Sequence, residues 1–131
     1  MEPENCLSLL AEKHIEANSI ATIGISKVDD ARTTSVMKLE NDIVREIIEK
    51  PKQKEIWGNF GSNGSFVLNK KIFDYIRKTK RGLDNEIYIS DSINTALSEG
   101  HVVKAFQNTD YYMDIGIFDR YLSANKRFFE I

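Results

Sequence analysis

A hairpin is predicted by residues 35–51, which read SVMKLENDIVREIIEKP. Two strand-like runs, Ser35 to Leu39 and Ile43 to Ile48, are joined at Glu40-Asn41-Asp42. Asn and Asp tolerate the positive φ that a tight turn requires. Pro51 ends the second run because proline cannot donate to a strand ladder. The stretch therefore predicts two neighbouring antiparallel strands.

Helical and strand-like patterns alternate on both sides of this hairpin. Apolar residues at three- and four-residue steps predict helices, and short apolar runs that end at turn residues predict strands. Helices are expected over residues 4–18, 72–76, 90–99 and 118–129, and strands over residues 21–26, 65–68 and 101–106, with a shorter extended segment over 111–116. For the third helix, Ser90 or Asp91 is the expected N-cap and Gly100 the expected C′ residue. The alternation favours an α/β arrangement, a sheet with helices on its faces.

The composition is that of one globular domain, or part of one. The 131 residues are 41% hydrophobic and 29% charged, with a formal net charge of -2. This balance argues against binding to nucleic acid or to an anionic membrane, and the apolar runs fall short of the ~20 residues that span a bilayer. The single cysteine, Cys6, gives no sign of an oxidising compartment, and the acidic start of the chain does not read as a secretory signal. A cytoplasmic location is expected.

Three local patterns could carry chemistry. Glu49-Lys50 ends a predicted strand, where a carboxylate can accept hydroxyl hydrogen bonds and an ammonium can meet a phosphate. Gly61-Ser62-Asn63-Gly64 would let a ligand approach the backbone. Asp114 follows aromatic residues and precedes Gly116, a setting that suits a Mg²⁺ ligand. Taken singly, the first pattern favours an exposed charged pair ahead of a turn, the second is equally an ordinary turn, and the third is equally a helix-entry turn.

Other polar residues favour structural roles. His14 lies on the apolar edge of the first predicted helix and His101 opens a strand, so each is interpreted as a packed or half-exposed histidine. The basic residues between positions 70 and 81 could meet phosphate, but a solvated helix face is favoured because no aromatic residues alternate with them. No pair of His or Cys has metal spacing.

The order of the motifs resembles the C-terminal half of the sugar-1-phosphate nucleotidyltransferases, which include glucose-1-phosphate thymidylyltransferases and uridylyltransferases. That family carries a Glu-Lys-Pro, an Asn-x-Gly-x-Tyr strand start, a Glu-x-x-x-Thr-Asp and a Trp-x-Asp-x-Gly-Thr. Similar patterns stand here at 49–51, 63–66, 86–91 and 112–117. The resemblance runs from about Leu7 to Phe129. It implies a partial Rossmann-like α/β nucleotidyltransferase fold over residues 1–131, a mixed sheet flanked by helices without the N-terminal nucleotide-binding strands.

The resemblance also implies roles for individual residues. Glu49 would hydrogen-bond the sugar hydroxyls and Lys50 would contact the sugar phosphate. Ser62, Asn63 and Gly64 would form the sugar-binding wall, on one side of a cleft with Glu49 and Lys50. Glu86 would brace that wall or touch the sugar. Asp114 would be the second of two aspartates that hold the catalytic Mg²⁺.

Several positions depart from the family pattern. Thr34-Ser35 stands where the family often has Tyr-Gly, Phe66 replaces a tyrosine, Tyr112 a tryptophan and Ile117 a threonine. The larger departure is that the 131 residues hold neither the Gly-x-Gly-Thr-Arg loop nor the first metal-binding Gly-Asp. The loop binds the nucleoside triphosphate through its backbone N–H groups.

The implied reaction joins an NTP and a sugar 1-phosphate to give an NDP-sugar and pyrophosphate. The chain would supply the sugar-phosphate half, would be inactive alone, and would bind NTP only with a complementary N-terminal half. The alternatives are a non-catalytic sugar-phosphate-binding or assembly module that pairs with another chain, and a remnant without a ligand. Association is expected, as a homo-oligomer or with a split-enzyme partner, through an unpaired strand edge at Ala21 to Ser26.

Overall fold

A computed structural model describes residues 5–110 and 112–129. Within these ranges the chain forms four α-helices and five β-strands, with short 3-10 turns between them. The helices are α1 (Cys6–Ala17), α2 (Ile72–Lys78), α3 (Ile89–Ser98) and α4 (Phe118–Phe129); the strands are β1 (Ala21–Lys27), β2 (Ser35–Glu40), β3 (Ile43–Glu49), β4 (Phe60–Leu68) and β5 (Val103–Gln107).

The predicted hairpin is confirmed. β2 and β3 pair antiparallel, from Ser35 opposite Glu49 to Glu40 opposite Ile43. Asn41 turns the chain between them with a φ of 57°, which is a conformation that asparagine tolerates better than most residues.

The strand pairings close on themselves in the order β1-β4-β2-β3-β5. β1 lies between β4, to which it is antiparallel, and β5, to which it is parallel. The ring is completed by two narrow contacts, Val36 opposite Gly61 and Ile43 opposite Lys104. The expectation of an unpaired edge at Ala21 to Ser26 is therefore wrong, because β4 and β5 occupy both sides of that strand.

The two faces of β1 meet different layers, as expected for a strand whose successive side chains alternate. Ile23 and Ile25 point into the main core, which also contains Ile72 of α2 and Ile93 of α3. The opposite face meets α1, whose His14 contacts Thr22. The mixed α/β class is thus confirmed, with helices on both sides of the sheet.

The start of α3 differs from the prediction. The helix begins at Ile89, and neither Ser90 nor Asp91 is its N-cap. Tyr88 holds that position without a side-chain hydrogen bond. Ser90 already lies within the first helical turn, where its hydroxyl donates to the carboxylate of Glu49.

Two other predicted segments have different bounds. β4 begins at Phe60 rather than at residue 65, because the Gly-rich approach also pairs with β1 and β2. Residues 112–116 have no strand pairing, so the extended segment predicted there is not a strand. The first residue of that segment, Tyr111, lies outside the described residues.

The last helix is the least packed element. The helix predicted at the C-terminal end is confirmed as α4, but none of its residues is buried. Phe118 is 75% exposed and Phe128 is 82% exposed. Within residues 5–110 and 112–129, none of the helices could span a bilayer.

Candidate functional site

Thr34, just before β2, connects two of the predicted site segments. Its Oγ1 donates a hydrogen bond to the carbonyl of Ser62 at 2.7 Å, and its own carbonyl accepts the backbone N–H of Lys50 at 3.1 Å. The end of β3 and the Gly-rich part of β4 therefore meet at one corner of the sheet. Thr34, Lys50 and Ser62 lie far apart in the chain, so the order of the motifs alone does not specify this junction.

Glu49 is half-buried and held by two hydroxyls. Its Oε2 accepts hydrogen bonds from Ser35 Oγ at 2.5 Å and from Ser90 Oγ at 3.2 Å. One donor comes from the paired strand β2 and the other from the first turn of α3. These contacts fix the carboxylate against the sheet through a single oxygen.

Lys50 extends to the exposed side of the same corner. Its Nζ donates to the hydroxyl of Tyr88 at 3.2 Å and lies 3.4 Å from Oδ2 of Asp84. The ammonium is also 5.5 Å from the centroid of the Tyr88 ring. The hydrogen bond to Tyr88, followed by that to Asp84, raises the pKa of Lys50, so the side chain is a cation at neutral pH.

The predicted wall at 62–64 is a β-bulge. The pairing of β1 with β4 jumps from Ile23 opposite Phe66 to Ile25 opposite Ser62, so three residues of β4 face one of β1. Gly64 has a φ of 81°, which favours glycine. The Gly64 N–H donates to Ser62 Oγ at 3.2 Å, and the Ser65 N–H donates to Asn63 Oδ1 at 3.1 Å.

The side chain of Asn63 points into the protein rather than into solvent. It is 8% exposed, and its Nδ2 donates to Oδ1 of the fully buried Asn108 at 2.7 Å. Asn108 in turn donates to the carbonyl of Cys6 in α1 at 3.2 Å. Ser62 is also buried, so Gly64 is the exposed member of the predicted wall.

Gly24 makes room for the buried amide pair. A Cβ added at this glycine would lie 2.6 Å from Oδ1 of Asn108 and 2.9 Å from Oδ1 of Asn63. Such distances are far below ordinary packing contacts. Sequence analysis did not single out Asn108, and no motif around it signals that its side chain is buried.

Glu86 lies in the exposed loop before α3. Its carbonyl accepts the N–H of Gly82 at 2.8 Å, and its N–H donates to the carbonyl of Leu83 at 3.0 Å. These bonds shape the loop that brings Asp84 and Tyr88 to Lys50. Glu86 thus belongs to the segment that holds Lys50.

Asp114 borders an open cleft together with Thr34, Asp30, Tyr112 and Arg120. Oδ1 of Asp114 accepts the N–H of Gly116 at 2.8 Å, and Oδ2 of Asp114 lies 3.9 Å from Nη1 of Arg120. Thr34 therefore borders the Asp114 cleft and also contacts Lys50 and Ser62. The structure brings Asp114 to the same side of the molecule as the Thr34 corner.

The acidic residues around this cleft include Asp30 and Asp114. No group of three or more His, Cys, Asp or Glu side chains within residues 5–110 and 112–129 could hold an ion. Asp30 is engaged by Arg32, whose side-chain and backbone hydrogen bonds lower the pKa of Asp30 to about 2. Asp114 fits as a single ligand, and Mg²⁺ often takes one or two carboxylates with water and substrate phosphates.

Comparison with known proteins places the chain in a family. The Nucleotidyl transferase family model matches residues 4–130. A UTP–glucose-1-phosphate uridylyltransferase of Mycoplasma genitalium is 28% identical over 132 residues, which cover 93% of this chain and 44% of that protein. One from Staphylococcus haemolyticus is 36% identical over 73 residues, which cover 56% of this chain and 25% of that protein.

The fold agrees with this assignment. The crystal structure of apo UDP-glucose pyrophosphorylase superposes with a TM-score of 0.81 at 23% identity, covering 95% of this chain and 48% of that one. This chain therefore spans less than half the length of the relatives that it matches. Because the family model matches almost the whole chain, and the relatives are sugar-1-phosphate nucleotidyltransferases by name, this chain belongs to the nucleotidyl transferase family.

Proposed function

We propose that this chain binds the sugar 1-phosphate of a nucleotidyltransferase reaction. In that reaction an NTP and a sugar 1-phosphate give an NDP-sugar and pyrophosphate. The observation that carries the proposal is the adjacent pair Glu49 and Lys50, which lies at the corner where Thr34 joins β3 to β4. Glucose 1-phosphate and UTP are the substrates in the names of two relatives, so they are the first to test.

The two side chains have complementary chemistry for this ligand. Both hydroxyl contacts of Glu49 go to Oε2, and we assign Oε1 to the sugar hydroxyls. The Lys50 ammonium is exposed and cationic, which suits a phosphate. An oxygen of that phosphate would attack the α-phosphorus of the NTP while pyrophosphate leaves, so the role of this pair is to position the attacking group.

Asp114 is proposed as one ligand of a divalent metal. Nucleotidyltransferases of this family commonly use such a metal, which when bound offsets negative charge on the phosphates. Asp114 would need further ligands, because no cluster of three metal-binding side chains lies among the described residues and Arg120 is its ionic partner. The proposed contribution of this chain is a single carboxylate.

Turnover is proposed to require the NTP-binding portion of the domain, in the same or another polypeptide. The sequence holds no Gly-x-Gly-Thr-Arg loop, and backbone N–H groups of such a loop position the triphosphate. We therefore expect the 131 residues alone to bind the sugar phosphate without releasing pyrophosphate. A non-catalytic binding or assembly module would also bind the sugar phosphate without releasing pyrophosphate. It differs because it would remain inactive when the NTP-binding portion is supplied.

Calorimetric titration of the 131-residue chain with glucose 1-phosphate tests the binding role. Lys50→Gln should weaken binding at least about tenfold, the scale of one charge-assisted hydrogen bond. Lys54→Gln removes the same charge from a nearby exposed lysine and should leave affinity unchanged. Equal affinities for both variants, or no binding by the unaltered chain, would contradict the proposal. Pyrophosphate release from UTP and glucose 1-phosphate by this chain, lost in Asp114→Asn, would contradict the expected inactivity.

A further inference from the structure

The ammonium of Lys50 already has an anionic neighbour in this chain. Its Nζ lies 3.4 Å from Oδ2 of Asp84 and donates to the hydroxyl of Tyr88 at 3.2 Å. Both partners come from the segment between α2 and α3, more than 30 residues further along the chain. A phosphate that binds Lys50 must share it with this carboxylate or replace it.

The backbone is unusual on both sides of this contact. The described residues include five non-glycine positions with positive φ, and three of them are Lys50 at 43°, Asp84 at 54° and Asn85 at 59°. Lysine gains no local side-chain bond that would favour this region, as asparagine or aspartate can. Residues held in such conformations cluster at ligand-binding and switch segments.

The loop that carries Asp84 is closed by its own hydrogen bonds. The N–H of Gly82 donates to the carbonyl of Glu86 at 2.8 Å, and Nη1 of Arg81 donates to the carbonyl of Asn85 at 2.8 Å. These bonds hold Asp84 over Lys50 without burying it. The Asp84 side chain is 60% exposed and that of Lys50 is 45% exposed.

The exposure makes this an exchangeable pair. Ion pairs in contact with water contribute little because solvent screens them. A phosphate dianion brings more charge and several acceptor oxygens, so it can replace a single carboxylate. Tyr88, whose pKa is raised, is neutral; its hydroxyl accepts a hydrogen bond from the ammonium and its ring centroid lies 5.5 Å away, so it need not leave when the anion changes.

We propose that Asp84 is a built-in competitor for the anion site of Lys50, displaced when a ligand phosphate binds, and that Tyr88 is the positioning residue that keeps the ammonium in place during the exchange. The inference rests on the proposed binding of sugar 1-phosphate. It adds that this chain limits its own affinity for the phosphate. Removing the competitor should therefore tighten binding, whereas a purely structural ion pair would leave it unchanged or weaken it.

Calorimetric titration with glucose 1-phosphate tests the inference in three variants. Asp84→Asn keeps the shape of the side chain, suits positive φ and should bind about two- to fivefold more tightly. Asp74→Asn makes the same charge change at an exposed carboxylate paired with Arg77, and should not alter affinity. Tyr88→Phe keeps the ring but loses the hydroxyl, and should bind more weakly than the unaltered chain.

Two results would overturn the inference while sugar-phosphate binding stands. One is Asp84→Asn binding no more tightly than Asp74→Asn; the other is Tyr88→Phe binding as tightly as the unaltered chain. NMR titration of the Lys50 side chain gives a readout without ligand: its pKa should fall in Asp84→Asn and not in Asp74→Asn. An unchanged pKa would show that the pair does not form. No binding by the unaltered chain, with the expected pKa change, would instead overturn the proposed function and leave the ion pair established.

Discussion

The side chain of Asn94 in α3 pairs with the backbone of Ile47 in β3. The Ile47 N–H donates to Asn94 Oδ1 at 3.0 Å, and Asn94 Nδ2 donates to the Ile47 carbonyl at 2.6 Å. β3 pairs along one side with β2 and on its other side reaches β5 only at Ile43. The amide therefore takes the place of a strand on the open part of that side and ties α3 to the sheet.

Removing this amide should destabilise the fold. Asn94→Leu leaves the N–H and carbonyl of the half-buried contact without partners, so the free energy of unfolding should fall by about 1–3 kcal/mol. Asn94→Asp keeps an acceptor but cannot donate, so its free energy of unfolding should lie between those of Asn94→Leu and the unaltered chain. Urea denaturation measures the change. Asn125→Leu alters a partly exposed amide of α4, which bonds only within its own helix, and should shift the free energy by less than about 0.5 kcal/mol. An equal loss in both leucine variants would contradict the role of Asn94.

Gly24 should tolerate no side chain. Its φ is not positive, so alanine is conformationally allowed, but the new Cβ would displace the Asn63–Asn108 pair. Gly24→Ala should lower the free energy of unfolding by about 1–3 kcal/mol, as overpacking does elsewhere. Gly58 has open space around it, so Gly58→Ala is the matched control. Similar thermal midpoints for the two variants would show that the amide pair adapts without cost.

His14 should make stability depend on pH. Its Nδ1 lies 2.9 Å from Thr22 Oγ1 and 3.3 Å from Ser19 Oγ, and burial lowers the pKa of His14 from 6.5. The unfolded chain then takes up the proton first as the pH falls. The contribution of neutral His14 to folding stability is present above pH 6.5 and is lost as the pH falls through the lower pKa of His14 in the folded state.

Urea midpoints between about pH 7.5 and 5 measure this dependence. In His14→Gln the urea midpoint should decrease less as the pH falls. Lys13→Gln is the control. The hydrogen bond to Glu16 raises the pKa of Lys13, so this lysine does not titrate in this range and its variant should keep the full decrease in urea midpoint. A slope that is the same in His14→Gln and in the unaltered chain would contradict the assignment.

Association of the chain with itself or with a complementary half stays a prediction. β1 no longer supports it, since both of its edges are paired. Exposed apolar side chains such as Phe128 on α4 give a different reason, because contiguous apolar surface marks interaction sites. Sedimentation velocity at micromolar concentration should show species heavier than 15.0 kDa. A single species of monomer mass would contradict self-association.

Local patterns in the sequence were sufficient to predict most of the elements and the family. The hairpin at 35–51, the helices and most strands follow from apolar spacing and turn residues, which act between residues close in the chain. The order of four short motifs was enough to indicate the sugar-1-phosphate nucleotidyltransferases, and the family model over residues 4–130 agrees.

The contacts of individual side chains depend on the folded arrangement of the chain. Ser90 is predicted as a helix cap but donates to Glu49. Asn63 is predicted in the sugar-binding wall but its side chain turns inward to Asn108, and the strand expected at an edge is paired on both sides. The partners in these contacts lie tens of residues apart. A polar side chain bonds whichever group the folded backbone brings within about 3 Å, and local patterns do not encode that distance.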